Sequence, residues 1–220
     1  MILQALAWYL AILIVGWLAF PLAYRFLPAL ADRGYSLSRT LGWLVWGYLF
    51  WLLCSLGVLR NTRGGLLFTL ALLALLSLLA LRRRSSGQPV EKDAAPPPGL
   101  LDWLKANWRM IATVELLFAL AFGSYALLRA ANPEAVGTEK PMELAFINAI
   151  LRSSRFPPHD PWLSGYAISY YHFGYILVAM LAKLVGSSGG VAFNLGIILV
   201  FALTAVGSYG LVYNLLARGG

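Results

Sequence analysis

The chain contains 220 residues, of which 60% are hydrophobic and 12% are charged, and its formal net charge at pH 7 is +8. Soluble domains are about 45–50% apolar and about 25% charged, so a single soluble domain of this size cannot bury so much apolar surface. Intrinsic disorder is excluded too, because it requires low hydrophobicity and high charge. The composition predicts a membrane protein whose excess Lys and Arg mark cytoplasmic loops and not a nucleic-acid partner.

Six apolar runs come close to the roughly 20 residues that a spanning helix needs. In chain order they cover 2–22, 41–59, 66–81, 108–128, 170–185 and 191–216. Pro21 and Pro28 are expected to break the far end of the first run. The sequence therefore predicts an all-α, polytopic transmembrane bundle of about six spanning helices, with a structured outer loop that contains short surface helices.

Composition divides the chain into three parts. A three-helix membrane segment, 1–81, precedes a linker, 82–107, which opens with Arg82-Arg83-Arg84 and continues in Ser, Gly, Pro and charged residues typical of a flexible, solvated connection. A second membrane segment, 108–220, contains a long non-spanning loop, 129–169. The Arg cluster beside a helix end predicts a cytoplasmic linker, an N-terminus and loop outside, and a multi-pass protein of the cell membrane.

Polar chemistry is concentrated in the loop 129–169, which holds four of the nine carboxylates. Pro141 suits the start of a helix, and the mostly apolar run 142–151 predicts a helix at the membrane surface. Glu143 lies at its beginning, where a carboxylate caps free N–H groups. Glu139 precedes the helix, and its position suits a general base or a metal ligand.

Four further loop residues have both a structural and a functional interpretation. His159 and Asp160 lie between prolines, so they form either a rigidly held base or ligand, or a polar turn in which Asp160 caps Trp162. Arg152 and Arg155 either clamp a phosphate or extend their charges to the interface and to loop carboxylates.

Two polar features border the apolar runs themselves. Tyr170, Tyr171 and His172 begin the fifth run, where an aromatic belt at the interface would also account for the tyrosines. Glu115 lies inside the fourth run. An intramembrane acid there indicates either a functional site or an ion pair with a neighbouring Arg.

Three motifs carry a resemblance to a known family. They are Glu139-Lys140-Pro141-Met142-Glu143, Phe156-Pro157-Pro158-His159-Asp160-Pro161-Trp162 and Tyr170-Tyr171-His172-Phe173-Gly174. They resemble the bacterial and archaeal polytopic membrane family named for its Tyr-Tyr-Tyr motif, whose function is unknown. The similarity runs from about Thr138 through Asn214, and His172 stands where that family has its third tyrosine.

That family in turn resembles the type C glycosyltransferases, multi-spanning enzymes that take a sugar from a polyprenyl-phosphate carrier. In those enzymes an acidic residue follows a helix and precedes a surface helix, an order that Glu139 and the run 142–151 repeat. The resemblance implies that Glu139 is the base or a ligand of a divalent metal ion, with Glu143 or Asp160 in support. Because such enzymes have more than six spans, we expect an N-terminal fragment.

Three classes of function follow. In the first, a glycosyltransferase at the outer membrane face, Glu139 activates an acceptor hydroxyl while Arg152 or Arg155 holds the phosphate of a polyprenyl-phosphate sugar. Its substrate groove would be lined by His159, Tyr170, Tyr171 and His172. The alternatives are a transporter that uses intramembrane polar groups such as Glu115, and a non-catalytic envelope assembly protein. Membrane lipid is a partner in every case.

The predicted orientation can be tested by fusing a topology reporter at Gly87, inside the linker. We expect a cytoplasmic signal, because the adjacent Arg cluster resists translocation. A signal from the outside would reverse the topology.

Overall fold

The computed structural model describes residues 2–82 and 99–218. These ranges form helices and contain no strand, and a single antiparallel bridge joins His159 to Ala167. The helices are α1 (Ile2–Phe26), α2 (Ser38–Ser55), α3 (Arg63–Arg82), α4 (Leu100–Ala106), α5 (Trp108–Ala131), α6 (Lys140–Arg152), α7 (Phe173–Val185) and α8 (Gly189–Arg218).

Four of these helices are long and apolar enough to cross a membrane, namely α1, α3, α5 and α8. Their length and composition confirm the predicted all-α membrane bundle. Helix α2 has 18 residues, begins with polar residues that include Arg39, and is not one of these four. Helix α7 has only 13 residues.

Side-chain contacts define the two ends of the bundle. At the first, which we call the loop end, the α2–α3 turn meets the segment after α6, where the Asn61 N–H donates to the Ser154 carbonyl at 3.0 Å. Trp8 near the start of α1 donates from Nε1 to the Ser187 hydroxyl, before α8, at 3.0 Å. At the other, the linker end, Asn214 in the last turns of α8 donates to the Asp32 carboxylate at 2.9 Å.

Helix α7 differs from the predicted fifth span because both of its ends lie at the loop end. Phe173 at its start packs edge-on against Trp51 in the last turns of α2. Near its end, the Lys183 carbonyl accepts a hydrogen bond from Nε of Arg63, the first residue of α3. A helix of 13 residues is about 20 Å long, which is less than the roughly 30 Å of hydrocarbon in a bilayer. Helix α8 therefore starts at the loop end and finishes at the linker end.

Two predictions for the linker end are corrected by the structure, and a third concerns residues outside the described ranges. Helix α1 continues through Pro21 to Phe26, so the proline does not end it. Within the predicted linker, α4 is ordered, and its buried Trp103 packs against Phe20 and Tyr24 of α1 at ring distances of 5.5 Å and 5.8 Å. Residues 83–98, with most of the Arg cluster, lie outside the described residues.

A charged pair inside the bundle joins α2 to α5. Arg39 is buried in the first turn of α2 and forms an ion pair with the Glu115 carboxylate. Tyr35 donates to Glu115 at 2.5 Å, and the Arg39 guanidinium lies 4.6 Å from the centre of the Phe118 ring. Of the two interpretations of Glu115, the structure shows the ion pair, and its partner is Arg39 of α2.

The course of α7 leads to a second topology prediction. If residues 173–185 do not cross the membrane, α8 returns the chain to the linker side. A reporter at Gly220 should then give the same signal as one at Gly87, because the two positions would lie on one side of the bilayer. Opposite signals would mean that α7 does cross.

Candidate functional site

The surface helix α6 is fixed at the loop end by the buried side chain of Asn61. Its Nδ2 donates to the carbonyls of Ile150 and Ser153, both at 2.7 Å, and closes the last turn of α6. The Asn61 carbonyl accepts a hydrogen bond from Nζ of Lys183 in α7 at 2.8 Å. One residue of the α2–α3 turn therefore sets the position of both α6 and α7.

The beginning of α6 carries the two predicted carboxylates. The helix starts at Lys140, and Glu139 is its N-cap residue but makes no side-chain capping bond. Glu143 does not cap the helix as one interpretation predicted. Its Oε1 accepts a hydrogen bond from the Tyr175 hydroxyl at 3.4 Å, which links it to the start of α7. The Glu139 carboxylate is exposed and without a hydrogen bond in the ranges that the structure describes.

Aromatic rings form a continuous strip beside these carboxylates. The ring of Phe146, buried on α6, lies 5.5 Å from Trp162, 5.7 Å from Tyr170 and 5.6 Å from Tyr175. Tyr170 also stacks on Tyr171 at 3.9 Å. Trp162 and Tyr171 remain 60% and 67% exposed, so the strip presents aromatic faces to solvent. We call these five rings the aromatic strip.

A cavity of about 440 Å³ lies on another face of α6 and brings together Arg152, His159 and Asp160. Asp160 Oδ1 accepts hydrogen bonds from the backbone N–H groups of Trp162 at 2.8 Å and Leu163 at 2.9 Å. The turn that one interpretation predicted is therefore present. Because both bonds end on Oδ1, Asp160 Oδ2 keeps its capacity to accept a proton, and no partner for it lies in the described ranges.

Two residues that sequence reasoning missed also line this cavity. Asn148 on α6 and Ser153 just after it face the same space as Arg152. The Ser153 hydroxyl accepts a hydrogen bond from the His159 N–H at 3.1 Å, which holds the two walls together. The sequence did contain one signal for this part of the cavity, because Asn148 is a polar residue inside a mostly apolar helix.

The predicted site residues divide into two groups. Glu139 and Arg152 lie at opposite ends of α6, about 20 Å apart at 1.5 Å per residue, which is too far for both to act on one sugar–phosphate bond. Arg155 is exposed and does not line the cavity. Glu139 and Glu143 accompany the aromatic strip, whereas Arg152, His159 and Asp160 surround the cavity.

A divalent metal ion, which the family resemblance implied, does not fit the residues present. Within residues 2–82 and 99–218, no three His, Cys, Asp or Glu side chains cluster closely enough to hold one. Asp160 already uses one oxygen in its turn, and Glu139 belongs to the other group of residues.

The family of the chain follows from a comparison with known proteins. Residues 45–220 match the model of a family of uncharacterized membrane proteins, DUF2298. The chain belongs to DUF2298. The matched range starts within α2 and includes α6, the aromatic strip and the cavity. No curated protein and no solved structure matches the chain.

The tyrosines of this DUF2298 chain are coupled to one another and to the carboxylates. Tyr170 donates a hydrogen bond to the Tyr171 hydroxyl at 2.7 Å. That bond raises the pKa of Tyr170 to about 12, with smaller contributions from desolvation and from the negative charges of Glu139 and Glu143. His172 is the N-cap residue of α7 but makes no side-chain capping bond. Its Nδ1 lies 2.8 Å from the Tyr170 carbonyl oxygen.

A titration tests this coupling. In Tyr171→Phe the hydrogen bond that stabilises neutral Tyr170 is lost, so the pKa of Tyr170 should fall towards its ordinary value of about 10. Tyrosinate formation can be followed by ultraviolet absorbance or by NMR of labelled tyrosine. Tyr166→Phe, at an exposed position of the same loop, is the control. An unchanged pKa in Tyr171→Phe would contradict the coupling.

Proposed function

We propose that this DUF2298 protein transfers a sugar from a polyprenyl-phosphate carrier to an acceptor at the outer face of the cell membrane. The observation that supports the proposal most directly is the cavity in which Arg152, His159 and Asp160 meet, beside an exposed aromatic strip at one end of a membrane bundle. The proposal also assumes that the loop end faces outward.

Arg152 is the group that would hold the carrier phosphate. Guanidinium matches the geometry of phosphate oxygens, and its positive charge stabilises the phosphate as it leaves the sugar. His159 and the Asn148 amide line the same cavity and can donate further hydrogen bonds to phosphate oxygens. The amphipathic carrier suits an active site at the end of membrane helices, because its chain remains in the bilayer.

Asp160 is a carboxylate that lines the same cavity as this clamp. In the proposed step Oδ2 takes the proton of an acceptor hydroxyl, and the acceptor oxygen forms a bond to the anomeric carbon. The bond from that carbon to the phosphate oxygen breaks, and its electron pair leaves with the polyprenyl phosphate. The proton on Asp160 then passes to solvent. The base role that the resemblance gave to Glu139 moves to Asp160, because Asp160, unlike Glu139 and Glu143, lines the same cavity as Arg152.

The aromatic strip and its two carboxylates would bind sugar rings. Exposed Trp and Tyr faces offer flat apolar surfaces, and the carboxylates of Glu139 and Glu143 can accept hydrogen bonds from sugar hydroxyls. Trp162 follows two residues after Asp160, and its ring contacts Phe146 at 5.5 Å in the middle of the strip. An extended acceptor could thus reach from the strip to the cavity.

Transport is a weaker proposal, because the polar groups of the helices already have structural partners. Glu115 pairs with Arg39, Lys183 bonds to the Asn61 carbonyl, and Asn194 bonds to Arg129. A transport site would need such groups to face a substrate path near the bilayer midplane.

Two substitutions in the full-length protein test the proposal. In Asp160→Asn the amide oxygen can still accept both turn hydrogen bonds, but the side chain no longer takes a proton. We expect kcat for sugar transfer in proteoliposomes to fall by about 10²–10⁴. Arg152→Gln should raise KM for the lipid-linked sugar and also lower kcat, because the phosphate loses its charged partner both when bound and as it leaves the sugar.

Arg155→Gln is the matched control, since Arg155 is exposed three residues away and does not line the cavity. It should retain near-normal kinetics. Transfer by Asp160→Asn at the rate of the unaltered protein would remove Asp160 from the reaction. If Glu139→Gln lost transfer while both cavity variants kept normal rates, the catalytic base would be Glu139 at the start of α6 and not Asp160.

A further inference from the structure

A second cavity lies between membrane-spanning helices, away from α6. Its volume is about 410 Å³, and its walls are largely apolar. Three helices that are long and apolar enough to span a membrane supply these walls, α1, α5 and α8. The apolar wall residues include Ile2, Ala5, Ala126, Ala130, Leu195 and Ile198.

One rim of this cavity carries an uncompensated positive charge. Arg129, in the last turn of α5, donates from Nε at 2.8 Å and from Nη2 at 2.5 Å to Asn194 Oδ1 of α8. The Asn194 amide is itself fixed, because its Nδ2 donates to the carbonyls of Pro133 at 3.0 Å and Gly190 at 2.9 Å. No carboxylate pairs with Arg129 in the described ranges, where the one ion pair joins Arg39 to Glu115.

We infer that this cavity binds a phospholipid of the bilayer with an anionic headgroup, such as phosphatidylglycerol. An acyl chain would occupy the apolar space between α1, α5 and α8, and the phosphate would bond to Nη1 of Arg129, which makes no hydrogen bond in the described part of the chain. The positive charge of Arg129 favours an anionic headgroup, and the apolar walls favour an acyl chain.

The position of Arg129 suits a headgroup at the membrane surface. It lies in the last turn of α5, at the loop end, and the wall residue Ala126 lies about one turn earlier on the same helix. Charge and apolar wall are therefore offset along the helix in the way that phosphate and acyl chain are. An Arg near the end of a spanning helix extends its guanidinium to the interface, where lipid phosphates supply a counter-charge. This lipid remains bound and is not consumed, so the inference does not depend on the proposed sugar transfer.

Lipid binding to the purified full-length protein tests the inference. The protein in uncharged detergent is titrated with phosphatidylglycerol, phosphatidylcholine or inorganic phosphate, and binding is followed by the rise in Tm and by native mass spectrometry. Phosphatidylglycerol should raise Tm in a saturable manner. Phosphatidylcholine, whose headgroup carries no net charge, should bind more weakly, and inorganic phosphate should have little effect because it has no chain.

Two pairs of variants separate charge from shape. Arg129→Gln can still donate to Asn194 but lacks the charge, and it should weaken phosphatidylglycerol binding about tenfold. Arg60→Gln removes an exposed charge at the same end of the bundle, outside the cavity, and should bind normally. Ala126→Leu fills the cavity and should weaken binding, whereas Ala112→Leu, exposed on the same helix, should not.

Three results would overturn the inference. The first is equal phosphatidylglycerol affinity in Arg129→Gln and the unaltered protein. The second is equal affinity for phosphatidylglycerol and phosphatidylcholine, which would mean that the headgroup charge is not recognised. The third is unchanged binding in Ala126→Leu, which would place the lipid elsewhere on the surface even if Arg129→Gln fails to fold.

Discussion

The buried amide of Asn61 is the constraint on which the candidate site depends. It lies in the turn between α2 and α3, yet it donates to the last turn of α6. The backbone carbonyl of the same residue accepts a hydrogen bond from the Lys183 ammonium of α7. Arg152 is the last residue of α6, so its position depends on this junction. A group that must hold a phosphate within hydrogen-bond distance needs support of this kind, because a displacement of 1 Å removes most of its effect.

Close packing completes the junction on the opposite side of α7. Gly47 of α2 faces Leu177, and a Cβ at this position would overlap the Leu177 side chain. Gly189 at the start of α8 faces Asn148 of α6 in the same way. These two glycines let α7 and α8 approach their neighbours closely. Helix α6, helix α7 and the first turn of α8 thus form one packed layer at the loop end.

Local features of this layer could be predicted from the sequence, and non-local ones could not. The helix near 142–151 and the Asp160 turn depend on residues within a few positions of one another, and both are present. The course of α7 is different. Its apolar residues have the composition of a membrane span, but α2 and α8 bury them. Hydrophobicity along the chain does not distinguish burial in protein from burial in lipid.

The separation of the predicted site into two groups has a similar origin. Glu143 bonds to Tyr175, 32 positions away, and Arg152 shares its cavity with Asp160 across a loop that reverses direction. Spacing along the chain placed Glu139 and Arg152 in one region. The rise of the helix between them keeps them about 20 Å apart. Residues near in sequence are distant when a rigid helix joins them end to end.

The ion pair between Arg39 and Glu115 has a consequence for biosynthesis. Both groups that compensate Arg39 from across the bundle, the Glu115 carboxylate and the Phe118 ring, belong to α5. Ribosomes make α2 before α5. During translation Arg39 therefore lacks the Glu115 carboxylate and the Phe118 ring while α3 and residues 83–98 are being added. An Arg in a membrane helix is costly without a partner. The charge of Arg39 therefore stays without these partners until α5 has been made, so the contact between α2 and α5 forms late in synthesis.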